Sequence, residues 1–252
     1  MTLEDVYDQL AYGELKNVVF GRRLDEDQGI EGDHMKQILP HVQLGLTDLH
    51  KRFLLREETC LVDLQDGQSD YWLTLDFATT NTKSKEQVKY IADTAANPFT
   101  GNLHKVEQLW GTYSSADYRV PLNRIDRTDA VRTPQYNKLI VPTDSDKAPW
   151  LLETTQLKVV YRADHPPIRE AYANAAASQV ELNLPPTHLW ALCLFVASRT
   201  HNPVGISGNT DFHEGNNYAA KYEVEVARLR SNGFQIDTDV DGAEKFERRG
   251  FV

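Results

Sequence analysis

The chain has 252 residues, of which 40% are hydrophobic and 25% charged, and a formal net charge of -10, so it has apolar material for one large domain or two small ones. Its longest unbroken apolar run, 189–197, is far too short to cross a bilayer. The acidic balance excludes tight nucleic-acid binding, which needs clustered Lys and Arg, and the pairs Arg22-Arg23, Lys51-Arg52 and Arg248-Arg249 each sit among acids.

In chain order, Thr2 with Asp5 makes a variant capping box, and Leu3, Val6, Tyr7 and Leu10 recur at helical spacing, which predicts a helix over about 3–19. The same stretch carries Glu4, Asp5 and Asp8 and no base, unlike a secretory signal. A polar loop over 21–32 follows. Met35, Ile38, Leu39, Val42, Leu46, Leu49 and Phe53 then form one helical stripe. Pro40 lies within it, so that helix either kinks there or begins near Leu39.

Beyond Phe53 the pattern turns to short segments between turns. Residues 59–64 read as a strand, Asp66-Gly67 as a tight turn and 71–77 as the hairpin partner. Ser84 with Gln87 suggests a capped helix carrying Val88, Ile91, Ala92 and Ala95, stopped by Asn97-Pro98. Four further strands are predicted at 104–110, 118–122, 138–141 and 156–161. Pro185-Pro186 then opens a helix over 187–200 that is apolar nearly all round and is therefore expected to be fully buried. After a polar loop over 202–215, a last helix over 216–230 turns Tyr218, Tyr222, Val226 and Leu229 inward and stops at Asn232-Gly233. Residues 235–252 read as a charged tail.

The expected fold class is α+β: mainly an α-helical bundle of two N-terminal and two C-terminal helices, with an inserted antiparallel β lobe and an extended C-terminal tail. The expected boundaries are 1–55 with 185–233 for the bundle, 56–184 for the β-rich lobe and 234–252 for the tail.

Residues that would carry chemistry fall into no motif. Cys60 and Cys193 lie in apolar segments outside any metal-ligand spacing and read as buried thiols. His201, His213 and Glu214 flank a glycine-containing loop and are the one set from which a two-histidine-one-carboxylate site is conceivable; His34, His41 and His50 lie on or beside the second helix without a third ligand. The run 205–209 follows a helix, where a nucleophile elbow or phosphate loop would follow a strand. Asp144 with Asp146, and Asp237, Asp239 and Asp241, lack the EF-hand pattern. The expectation is a non-enzymatic protein with no catalytic, cofactor or metal residues.

Four successive stretches carry a resemblance. They are 157–165, Leu184-Pro185-Pro186, 191–203 and 216–225, the last holding Asn217, Ala220, Tyr222 and Glu225 as Asn-x-x-Ala-x-Tyr-x-x-Glu. Together they resemble the head-to-tail adaptor, or connector, subunits of tailed bacteriophages, in which a strand ending in Tyr-Arg-Ala precedes a proline-initiated apolar helix. Leu3 to Val6, Leu44 to His50, Leu103 to Glu107 and Val120 to Asn123 look like the same layout. The resemblance implies a structural virion protein at the head-tail junction, made in the host bacterial cytoplasm. It would form a ring, twelvefold in known adaptors, that binds the portal protein and a downstream tail or nozzle protein. Genomic DNA would pass through without sequence-specific binding, and no membrane or cofactor is involved. The tail is the expected portal-docking element, through Phe234, Ile236, Val240, Phe246, Arg248, Arg249, Phe251 and Val252. The alternatives are a carbohydrate- or receptor-binding tail module using Trp72, Trp110 and Tyr113, or a metal-dependent virion hydrolase.

Overall fold

The structure is a computed structural model and describes residues 1–15, 32–168, 177–201 and 209–233. The chain divides into two compact units, one of Met1–Leu55 with His165–Val252, the other of Arg56–Asp164. The stretch 165–184, assigned from sequence to the β-rich lobe, thus groups with the helical ends of the chain.

In the first unit, α1 (Leu3–Tyr12) is opened by a full capping box. The Thr2 amide donates to Asp5 Oδ2 at 2.7 Å and the Asp5 amide to Thr2 Oγ1 at 3.3 Å, which satisfies two of the amides a helix start leaves without partners. The helix buries Leu3, Val6, Tyr7, Leu10 and Ala11 and ends at Gly13, well before residue 19. The chain start is fixed by the Leu3 amide donating to the Val180 carbonyl and the Leu182 amide to the Met1 carbonyl. Helix α2 (Gly32–Arg52) contains Pro40. The helix therefore begins before the proline, whose exposed side of the helix tolerates the lost amide.

Helix α3 (Leu189–Thr200) follows a short 3-10 turn, Pro186–His188. It buries Leu192, Leu194, Val196 and Ala197 and packs on α1, α2 and the last helix. Gly45 makes the approach to α2 close, because a Cβ there would stand 2.6 Å from Leu192 Cδ1 and 2.9 Å from Phe195 Cδ1. The expected full burial of α3 does not hold: Trp190 is 45% exposed. Helix α4 (Asn209–Ser231) begins seven residues before the expected start, within the stretch read as a loop.

The second unit holds two antiparallel sheets. The five-stranded one has the order β3-β1-β8-β4-β5 and the three-stranded one β2-β7-β6. The strands are β1 (Glu57–Asp63), β2 (Asp70–Trp72), β3 (Ile91–Ala92), β4 (Leu103–Tyr113), β5 (Ala116–Val120), β6 (Arg132–Gln135), β7 (Lys138–Ile140) and β8 (Gln156–Ala163). Three expectations fail here. Strand β2 pairs with β7, Tyr71 opposite Leu139, and not with β1; Leu75–Phe77 is a 3-10 turn. The proposed helix near 88–95 is absent and Ile91 instead pairs with Val62. The Ser84 hydroxyl, read as a helix cap, donates to the Asp76 carbonyl.

The fold class itself is corrected. Among the described residues there are four α-helices and eight strands in two antiparallel sheets, with the strands the more prominent, so the molecule is not a helical bundle carrying an inserted lobe. The physical reason is that residues 56–164 close their own core, in which Trp150, Tyr71, Tyr90 and Tyr161 are all buried. A segment with that much buried aromatic surface is an equal partner, not an appendage.

One polar knot holds the irregular stretch 79–99 of this unit. The Asp93 carboxylate accepts from Thr79 Oγ1 at 2.7 Å, the Thr80 amide at 2.9 Å, the Phe99 amide at 3.0 Å and the Thr80 hydroxyl. Burial alone would raise its pKa, but these donors outweigh burial and bring it to about 2, against 3.8 for a free side chain. The unfolded chain therefore binds this proton more readily. The stabilisation is complete above pH 3.8 and fades as the pH falls through about 2. Asp93→Asn is expected to lower stability by about 2 kcal/mol at pH 7, with the deficit vanishing near pH 2, as urea midpoints at the two pH values will read.

Candidate assembly surface

The residues expected to dock a partner, Phe234, Ile236, Val240, Phe246, Arg248, Arg249, Phe251 and Val252, all lie outside the described residues. What the structure defines is the helix from which they continue. Helix α4 turns Tyr222, Val226 and Leu229 into the core, and Gly233 takes a positive φ of 75° as its amide donates to the Arg230 carbonyl. Left-handed backbone of that kind ends a helix and suits glycine.

Charged side chains fasten α4 to α2. The Arg52 guanidinium donates to both Glu223 oxygens at 2.7 and 2.9 Å, and its Nε lies 2.7 Å from Asp48. Asp48 also accepts from the Tyr222 hydroxyl. A two-pronged Arg–carboxylate pair fixes direction as well as distance. On the other flank the buried Glu225 is held by Arg228 at 2.8 Å. The Arg228 guanidinium sits over the Trp190 ring at 5.7 Å, and Trp190 Nε1 donates to Glu14 at 3.2 Å. The last helix is thus tied to α2 and α3.

His41, His50 and His201 belong to the helical unit. His201 is buried, stacked on Tyr218 at 5.0 Å and 3.2 Å from the Glu14 carbonyl through Nε2. Since that carbonyl can only accept, Nε2 is the donor in this contact and is itself taken up by it. His213 and Glu214 belong to α4, but their side chains lie outside the described residues, as does that of His34. His41 is half-buried, with its pKa lowered by burial and by Arg199. His50 is buried, its Nδ1 2.8 Å from the Leu46 carbonyl. Among the described residues no group of three or more His, Cys, Asp or Glu is placed to hold a metal ion. Asp144 accepts from the Asp146 amide and pairs with Lys147, closing a turn; Asp237, Asp239 and Asp241 lie outside the described residues. Cys60 and Cys193 are buried free thiols, and burial, with Glu58 nearby, pushes Cys60 up to about 12.

No family model matches the chain, and no curated protein matches it.

The aromatics considered for sugar stacking are not brought together. Trp72 is on the three-stranded sheet under Lys138, whose ammonium is 5.0 Å from its ring. Trp110 and Tyr113 are an odd number of residues apart on β4 and so point to opposite faces. Tyr113 stands beside Tyr118 at 5.5 Å, while Trp110 lines a shallow cavity of about 390 Å³ with Leu61, Asp117 and Lys158. The sequence reading overlooked the exposed apolar side chains of the helical unit, Tyr12, Leu44, Trp190 and Val224. Val224 was legible, because a helix with Tyr222, Val226 and Leu229 inside must turn residue 224 outward.

Proposed function

We propose that the protein is a structural subunit of a tailed-bacteriophage virion, a head-to-tail adaptor that assembles as a ring beneath the portal and extends the DNA channel towards the tail. The observation that carries this reading is the placement of α4. It has the adaptor-like residues Asn217, Ala220, Tyr222 and Glu225, is clamped to α2 by Arg52 and set against Trp190 through Arg228, and ends at Gly233 where the aromatic-bearing tail continues. A rigid helix from which a polar, aromatic-containing segment leaves suits docking by many identical arms, since ring neighbours present weakly binding segments at high effective concentration. The net charge of -10 also suits a channel wall, because like charge removes phosphate contacts that would stall the duplex.

The tail is the part of this reading most open to test. Deleting 234–252 is expected to leave a folded protein with an unchanged thermal midpoint that no longer co-sediments with portal rings. Undiminished binding by the truncated protein would place the docking surface elsewhere.

A further inference from the structure

The outward faces of α1 and α4 are opposite in charge, and each bears one exposed apolar anchor. On α1, Tyr12 is 60% exposed, with Asp8 one turn away and Glu4 one turn further, both exposed. Residues 1–15 include no Lys or Arg. On α4, Val224 is 70% exposed, with Lys221 and Arg228 one turn to either side and Ala220 and Ala227 beside it. Of the described acids of that helix, Glu223 is engaged by Arg52 and Glu225 by Arg228. The solvent side of α4 thus presents Lys221 and the exposed guanidinium of Arg228, whose partner Glu225 is buried beneath it, around an apolar ridge, and the alanines let another helix approach closely.

We propose that α1 of one copy packs on α4 of the next, Tyr12 lying against Val224 and its flanking alanines while Glu4 and Asp8 face Lys221 and Arg228. This rests on the ring reading and names the surface between neighbouring copies. The two patches differ, so the contact is head-to-tail, the type that closes into a ring when the rotation between copies divides a full turn. Complementary charge on the rim sets the register and speeds encounter, and the buried apolar anchors hold the contact.

The test mixes two variants, Tyr12→Cys on one chain and Val224→Cys on another, at concentrations where the protein self-associates. The native thiols are buried and do not compete. A mixed disulfide is expected on oxidation, with far less cross-linking of either variant alone. Lys221→Glu is expected to raise the concentration needed for assembly about threefold to tenfold, and Asp8→Lys on the facing copy to restore it. Absence of the mixed disulfide, or assembly indifferent to both charge reversals, overturns the interface. A ring that forms regardless of them leaves the adaptor reading standing. Cross-linking in a protein that never binds portal rings has the opposite meaning, upholding the interface and removing the adaptor role.

Discussion

Leu192→Asp is expected to abolish soluble expression. Leu192 is wholly buried at the centre of α3, against the α2 surface opened by Gly45. Truncation to alanine at such a site costs about 2–5 kcal/mol. The aspartate adds an unpaired buried charge worth several kcal/mol more, against a total stability of about 5–15 kcal/mol. Leu44 supplies the control on the neighbouring helix, because at 54% exposure its replacement by aspartate is expected to change stability by no more than about 0.5 kcal/mol. A soluble Leu192→Asp protein with a cooperative melt would contradict the packing of α2 on α3.

Trp150→Ala is expected to be the most damaging single truncation in the second unit. The indole is 1% exposed and its Nε1 donates to the Asp129 carbonyl at 3.1 Å. It projects into the core from a short 3-10 turn, Pro149–Leu152, just ahead of β8. Removing a buried Trp costs about 3–5 kcal/mol, which for a chain of this length lowers the thermal midpoint by on the order of 10 °C. Trp150→Phe keeps most of the volume and leaves the carbonyl without its donor, so a fall of about 1–2 kcal/mol is expected. Differential scanning fluorimetry of both variants will show the order. An unchanged midpoint for Trp150→Ala would mean the indole is not in the core.

The elements that were legible in the sequence are those with a local cause. Thr2 and Asp5 announce the start of α1 by a bond between neighbours, Gly233 announces the end of α4 by the backbone it permits, and the Leu46, Leu49, Phe53 stripe fixes the buried face of α2. Partners of strands have no such cause. Alternation at Tyr71 and Leu73 says which side is buried but not that Tyr71 lies opposite Leu139, some seventy positions away. Ser84 and Gln87 imitate a helix cap because the Ser84 hydroxyl serves a turn just as well, its oxygen accepting from the Glu86 amide. The turn between β4 and β5 was hidden for a related reason, since Ser114 and Ser115 take φ of 53° and 59°, a conformation usually marked by Asn or Gly. The weight of the β unit was underestimated because its core is assembled from residues distant in sequence, Trp150 and Tyr90 among them.

The candidate surface divides in the same way. The inward residues of α4 follow from period alone, whereas the clamp of Arg52 on Glu223 spans most of the chain and leaves no local trace. Exposed Tyr12 and Val224 stand in plain helical positions, yet a single apolar residue on a polar face is unremarkable until the fold shows what surrounds it.

The central claim, an adaptor ring on the portal, is tested most directly by the mass of purified portal rings with and without the full-length protein, measured by native mass spectrometry. The expected result is a discrete gain of about twelve copies of the 28.7 kDa chain, matching closed ring symmetry. A portal whose mass is unchanged at saturating protein, or which takes up copies in no fixed number, would contradict the account.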